Sequence, residues 1–203
     1  MWISKLILNP RSAAVRRDIA NPYEMHRTLM WALGEEAQAG RERVLWRVES
    51  RRLERPVLLV QTLTKPAWEA VLNRYPRYAD VDPTSPKAFD PQLVAGQVLR
   101  FRLRANPSVK RQGKRLALLS QEEKMNWLER KMKQAGCELR AAAILSEERV
   151  VAYKAGTPLT VFAVLFEGLI QVTEPAPCYA AIERGVGAAK GLGMGLLSVA
   201  RGR

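Results

Sequence analysis

The stretch Gln97-Val98-Leu99-Arg100-Phe101-Arg102-Leu103-Arg104-Ala105 alternates residue by residue, with Leu99, Phe101 and Leu103 on one side and Arg100, Arg102 and Arg104 on the other. A period of two is the side-chain period of a β-strand; a helix would mix the two sets around its circumference. The segment settles as a strand whose apolar side meets a core and whose basic side does not. A sheet with a covered face follows, and the rest of the chain has to cover it.

Further strand patterns lie on both sides. Trp2–Leu8 is an apolar run broken by Ser4 and Lys5, Val44, Trp46 and Val48 alternate with Leu45, Arg47 and Glu49, and Pro56–Leu63 has the β-branched character of a strand. Between them Asn9–Ala20 reads as a basic loop, a helix runs from Pro22 to near Gly40, Arg51–Arg55 is a charged turn and Pro66–Leu72 a short helix. Pro76, Pro83, Pro86 and Pro91 break up Tyr75–Pro91, which is expected to be an extended surface loop. With Gln97–Ala105 as its last strand, this order is β-α-β-β-α-β, the ferredoxin-like (RRM-like) pattern.

Asn106-Pro107 ends that unit, and Ser108–Arg115 is basic and expected to be mobile. Ser120 and Glu123 form a capping box opening a helix that stops at Gly136, with Met125, Leu128, Met132 and Ala135 as its buried stripe. Cys137–Leu145, Val150–Lys154, Leu159–Phe166 and Leu169–Thr173 read as strands, the last two joined through Glu167-Gly168. Pro177–Arg184 reads as a helix and Leu196–Ala200 as a strand. If Leu116–Leu119 starts it, the same outline is repeated. The expected fold is α+β: two tandem ferredoxin-like βαββαβ domains, residues 1–105 and 106–203.

Lys and Arg number 33 against 20 Asp and Glu, a formal charge of +13. Such an excess points to a polyanion, either nucleic acid or an anionic membrane surface. From Pro91 through Gln121 there is no acidic residue, against Arg100, Arg102, Arg104, Lys110, Arg111, Lys114 and Arg115. A solvated face normally mixes signs, so this run favours phosphate contacts. Val161–Phe166, the longest clean apolar run, is far too short to span a membrane, and there is no strong amphipathic anchor. Nucleic acid, not membrane, is the expected partner. The N-terminus lacks a signal-peptide pattern. Cys137, Cys178 and a single histidine supply neither a disulfide framework nor a zinc spacing, so no metal and no cofactor is expected, and a reducing cytoplasm is the default location.

That histidine, His26, lies in Asn21-Pro22-Tyr23-Glu24-Met25-His26-Arg27. Asn21 is a good N-cap, Pro22 suits the first helical position, and Glu24 stands where a capping box places its acid. Tyr23, His26, Arg27 and Met30 share one face of this helix, while Met25, Leu29, Ala32 and Leu33 form a separate apolar stripe. His26 is thus expected to face outward, beside a phenol and a guanidinium, near a helix N-terminus that suits phosphate.

A glycine-rich segment, Gly185 to Leu196, lies between a helix and a strand. Its order is wrong for a dinucleotide fingerprint and no Ser or Thr follows Lys190 as in a triphosphate loop, which leaves a phosphate cradle or a flexible connection. Taken with Asn21-Pro22-Tyr23-x-x-His26-Arg27 and two ferredoxin-like outlines, the ending Gly185-x-Gly187-x-x-Lys190-x-x-Gly193-x-Gly195-Leu196-Leu197-Ser198 resembles the CasE family over nearly the full length. These are the CRISPR repeat-RNA-processing endoribonucleases of type I-E systems.

The resemblance implies an enzyme that cuts precursor CRISPR RNA at the 3′ base of the repeat stem-loop without a metal ion. It leaves a 5′-hydroxyl and a 2′,3′-cyclic phosphate, keeps the guide RNA and joins the other subunits of Cascade. His26 and Tyr23 become the catalytic pair, and Gly187, Lys190, Gly191 and Gly193 face the RNA. Such cleavage needs a base for the 2′-hydroxyl, an acid for the leaving 5′-oxygen, and positive charge for the phosphorane. One histidine excludes a two-histidine mechanism within the chain, and His26 serves as base or as acid. Arg27 is placed for an adjacent phosphate; Arg100, Arg102, Arg104, Lys110, Arg111, Lys114 and Arg115 fit the phosphates of a stem read by shape. Some relatives carry a Lys and a Ser on the next turn of the catalytic helix, where this chain has Met30, Trp31 and Gly34; their contribution is either missing here or supplied elsewhere, with Lys154 and Lys190 the candidates. The competing reading is a non-catalytic RNA-binding scaffold subunit of the same ribonucleoprotein. The proline-rich Tyr75–Pro91 segment is the candidate surface for other subunits.

Overall fold

The structure, a computed structural model, describes residues 1–34, 42–49, 55–82 and 85–202. The expected end of the first long helix near Gly40, most of the Arg51–Arg55 turn, and Pro83 lie outside the described residues. The chain is a mixed α and β protein with antiparallel sheets. It forms two compact units: Met1–Asp90 with Val151–Leu159 and Lys190–Gly193, and Pro91–Val150 with Thr160–Ala189 and Met194–Arg203.

The first unit contains β1 (Trp2–Leu8), α1 (Ala13–Ala20), α2 (Pro22–Met30), a 3-10 turn (Trp31–Leu33), β2 (Leu45–Glu49), β3 (Val57–Thr62), α3 (Trp68–Arg74), β4 (Ala79–Val81) and β5 (Lys87–Ala88). Its sheet runs β2-β3-β1-β4, with β5 also paired to β1. Leu6 and Leu8 of β1, Leu58 and Val60 of β3, and Met25 and Leu29 of α2 are buried together with Trp46, Trp68 and Tyr78. Ser4, which interrupts the apolar run of β1, is buried because its Oγ accepts the Trp68 indole N–H at 2.9 Å. The α2 stripe continues into Ala32 and Leu33 as its spacing requires.

Two expectations for this unit are corrected. The supposed basic loop Asn9–Ala20 contains α1, which buries only Val15 and Asp18 and so presents no apolar stripe to read. Asp18 is held by the Tyr78 hydroxyl at 2.7 Å and by an ion pair to Arg17, also at 2.7 Å. The Tyr75–Pro91 segment is not wholly loop: β4 and β5 add to β1. Both are short strands, with prolines outside them, where a missing N–H donor is tolerated.

The second unit contains β6 (Val98–Ala105), β7 (Ser108–Arg111), β8 (Lys114–Ala117), α4 (Gln121–Gln134) and α5 (Pro175–Arg184). Its other strands are β9 (Cys137–Lys154), β10 (Thr157–Val172) and β11 (Leu197–Arg201), and the sheet runs β11-β6-β10-β9. Leu99, Phe101 and Leu103 of β6 are 3%, 3% and 0% exposed, as the alternation demands. The capping box of Ser120 and Glu123 opens α4. The buried side of α4 is Lys124, Trp127, Leu128 and Met132, with Met125 only half-buried.

The expected membership of β6 is corrected. It does not close the first sheet at residue 105; it pairs with β10 from Val164↔Ala105 to Gln171↔Val98, and with β11 on its other edge. Alternation says which face of a strand is buried, not which strands flank it. Ser108–Arg115, expected to be mobile, belongs to the β7–β8 hairpin, whose turn residues Gln112 and Gly113 have φ of 47° and 77°. Left-handed backbone at both turn positions matches the twist of a tight hairpin. The expected breaks at Ser146–Arg149 and Glu167-Gly168 are absent: β9 and β10 run through both. Gly168 is a strand residue pressed against the Ala141 carbonyl, where a Cβ has no room.

Candidate active site

The first unit gathers Tyr23, His26, Arg27, Lys154 and the Lys190–Gly193 segment. Their placement starts from Asn21. Its Oδ1 caps α2 by accepting the Tyr23 N–H at 3.2 Å. The same amide oxygen accepts the Tyr153 N–H at 3.1 Å, while Nδ2 donates to the Tyr153 carbonyl, also at 3.1 Å. One side chain thus ties the start of the helix to the strand end that carries Lys154. The Lys154 Nζ sits 5.9 Å from the centre of the Tyr23 ring, within cation–π range. The position of Asn21 was legible as a cap; its second partner was not, because 132 residues separate them.

Tyr23 and His26 are three residues apart on α2, on neighbouring positions of one face. His26 is half-buried, not simply outward. Gly191 lies beside it, so that a Cβ built there would meet the imidazole Cδ2 at 3.7 Å. The His26 Nδ1 is buried and, among the described residues, has no hydrogen-bond partner. Burial pushes the imidazole below its ordinary value near 6.5, which favours the neutral ring in the free protein. Glu24 accepts from Arg27 at 3.1 Å. The capping role expected of Glu24 is replaced by this pair, which also leaves Arg27 partly neutralised, with a side chain 61% exposed.

The glycines divide by role. Gly193 has φ of +77° and presses on the Trp46 indole, where a Cβ would lie 2.7 Å from a ring carbon. Gly187 belongs to the second unit and faces Trp127, where a Cβ would lie 3.2 Å from a ring carbon. Lys190 and Gly191 form a 3-10 turn with Leu192. The glycine-rich segment is therefore partly a packing device for two tryptophans, while Gly191 borders the histidine.

The remaining expected contacts, Arg100, Arg102, Arg104, Lys110, Arg111, Lys114 and Arg115, belong to the second unit. Arg100 is exposed. Arg102 pairs with Glu167 at 2.8 Å and Arg104 with Glu148 at 2.6 Å. The sequence around these arginines is free of acids, but β9 and β10 bring acids to them. Lys110 and Arg115 stand directly opposite each other on β7 and β8. The side chains of Arg111 and Lys114 lie outside the described part. Lys110 and Arg115 line a groove of about 500 Å³ with Arg130, Lys131, Trp127 and Gly187. Arg130 and Lys131 were missed because they sit on a helix whose sequence also carries acids; only its packing separates them from these.

Among the described residues, no three His, Cys, Asp or Glu side chains are grouped to hold a metal, and no helix is long and apolar enough to cross a membrane. The family model described as CRISPR associated protein matches residues 1–201. The CRISPR-associated endoribonuclease Cse3 of Thermus thermophilus is 50% identical over 215 residues, covering 98% of this chain and 100% of the relative. The Cascade subunit CasE of Escherichia coli is 30% identical, covering 98% and 99%. The structure of Thermus thermophilus Cse3 bound to an RNA representing a pre-cleavage complex matches with a TM-score of 0.91 at 50% identity, over 98% of each chain. Measured against these relatives from end to end, the chain belongs to the CasE family of type I-E CRISPR-associated proteins.

Proposed function

We propose that this protein is a metal-independent endoribonuclease that cuts precursor CRISPR RNA at the base of the repeat stem-loop and retains the guide RNA as a Cascade subunit. The observation that carries the reading is His26 itself: a half-buried imidazole on a capped helix, three residues from Tyr23, with Gly191 against its edge and Lys154 over the Tyr23 ring. In this reading the RNA's 2′-hydroxyl attacks the adjacent phosphorus and loses its proton to a base. The bond to the 5′-oxygen breaks, and that oxygen takes a proton from an acid, giving 2′,3′-cyclic phosphate and 5′-hydroxyl ends. His26 performs one of the two transfers. Tyr23 hydrogen-bonds the scissile phosphate or the 2′-hydroxyl. Lys154, with Lys190, supplies the charge that the residues at Met30, Trp31 and Gly34 do not. Arg27 and the N-terminus of α2 hold a neighbouring phosphate.

The stem belongs, in the same reading, to the groove of Lys110, Arg115, Arg130 and Lys131, with Arg111, Lys114, Gly187 and the arginines of β6 in support. We further read each unit as one ferredoxin-like domain, divided near residue 90. The two sheet orders, β2-β3-β1-β4 and β11-β6-β10-β9, support this, since each is a βαββαβ unit with its first and third strands in the middle. A cytoplasmic location accords with the unbridged thiols of Cys137 and Cys178.

The test is incubation with cognate repeat RNA in excess EDTA. Cleavage to cyclic-phosphate ends is expected, with loss of at least about a hundredfold in rate for His26→Ala and no cutting of RNA carrying a 2′-deoxy sugar before the cut. RNA that is bound but left intact would assign the scaffold role instead; cutting of the deoxy analogue would remove the 2′-hydroxyl mechanism.

A further inference from the structure

Helical backbone does not stop at Met30: Met30 and Trp31 have φ/ψ of −62/−24° and −63/−29°. Tyr23, Arg27 and Trp31 are therefore spaced by four residues along one ridge of the catalytic helix, about 12 Å from first to last. The ridge ends in an indole that is 49% exposed, a large apolar surface left open on a helix that otherwise sorts its residues well. One side of that indole is already stacked: the Arg74 guanidinium lies 4.3 Å from its centre. Arg74 also lies 5.7 Å from the Tyr75 ring, and Arg17 sits 5.1 Å over the same ring. Both guanidinium groups donate to the Tyr75 hydroxyl, at 3.4 and 3.5 Å. The result is a ladder of alternating aromatic and cationic groups, Trp31–Arg74–Tyr75–Arg17, within the first unit.

We propose that this ladder is a binding platform for an unpaired nucleotide of the RNA flanking the stem, a base stacking on the open part of Trp31 and its phosphates meeting Arg74 and Arg27. The proposal rests on the endoribonuclease reading. Single-stranded nucleic acid is the occupant that fits: aromatic faces interleaved with guanidinium groups match the alternation of base and phosphate. Position agrees, because the ridge starts at Tyr23 beside His26, so RNA lying across the catalytic pair continues toward Trp31. The charge of the whole chain, +13, has the sign a nucleic acid requires.

The experiment measures equilibrium binding with RNA that cannot be cut, carrying a 2′-deoxy sugar before the scissile phosphate. Repeat stem-loops are prepared with a 5′ flank, with a 3′ flank and with neither, and bound to the wild-type protein, Trp31→Ala and Trp31→Phe. Trp31→Ala is expected to weaken one flanked RNA by roughly five- to a hundredfold, with Trp31→Phe keeping most of the affinity and the flankless stem binding all three proteins equally. An abasic nucleotide in that flank should reproduce the loss in the wild type and add nothing to Trp31→Ala. Equal weakening of flanked and flankless RNA, or no weakening of either, overturns the platform; the second result leaves the indole to a protein partner. A wild type that binds these RNAs but fails to cut unmodified repeat overturns the catalytic reading alone, since the binding ratios do not depend on cleavage. Absence of RNA binding overturns both.

Discussion

His26 is the residue whose surroundings make the sharpest demands. Burial holds its folded pKa below about 6.5, the unfolded value. The unfolded chain therefore takes up a proton first as pH falls. The stability at stake is constant above 6.5, where both states are neutral, and is lost as pH drops from 6.5 through the folded pKa. Melting temperatures of wild type and His26→Gln, compared between pH 7.5 and 5.5, should diverge in favour of the variant at the acid end. The same group should place an inflection below pH 6.5 in the profile of kcat/KM for cleavage. A rate that rises with pH through it makes His26 the base; a rate that falls makes it the acid. Two glycines separate packing from chemistry. Gly193→Ala puts a Cβ at positive φ and into Trp46, and should cost roughly 1–3 kcal/mol in thermal unfolding. Gly191→Ala has ordinary backbone and places its Cβ in normal contact with His26, at 3.7 Å, so its stability should stay within about 0.5 kcal/mol while any effect falls on cleavage. The apolar stripe of Met25 and Leu29 was readable, as it depends only on spacing. The half-burial of His26 was not, because what borders it arrives from Lys190–Gly193, far along the chain.

At the scale of elements, the β7–β8 hairpin contains a conflict that RNA would resolve. Lys110 lies directly opposite Arg115, and like charges facing each other across a ribbon are destabilising. A two-stranded ribbon is also marginal by itself. A phosphate between the two side chains turns repulsion into attraction, so the hairpin amides should gain hydrogen-exchange protection when repeat RNA is added. Lys110→Ser with Arg115→Ser should gain less, and protection unchanged by RNA in the wild type would remove the hairpin from the interface. The hairpin was hidden in the sequence because its strands are short and charged and lack the alternation that exposed β6. The opposite limit is α1, a helix with one buried valine and one buried carboxylate, the latter held by Tyr78 and Arg17, and with no apolar period to read.

For the whole molecule, formal charge overstates what is available to a polyanion. Of the run from Arg100 to Arg115, Arg102 and Arg104 are already paired to Glu167 and Glu148, so phosphate there must displace a carboxylate. The more open of the two, Arg102–Glu167, is worth little, about 0–1 kcal/mol, yet both pairs cancel charge locally. Among the described residues, the lining of the groove of Lys110, Arg115, Arg130 and Lys131 carries no carboxylate. Each phosphate neutralised there releases condensed counterions, and the slope of log affinity against log salt should steepen by roughly 0.7–0.9 per contact. Measured with uncut repeat RNA between about 50 and 200 mM salt, replacing the four groove cations should flatten the slope by close to that amount for each. Replacing Arg102 and Arg104 together should flatten it far less than two groove cations do. Equal flattening by the two sets would mean that RNA strips Glu148 and Glu167 from their arginines, and would make the basic face of β6, the most legible strand in the sequence, as much a part of the RNA-binding surface as the groove.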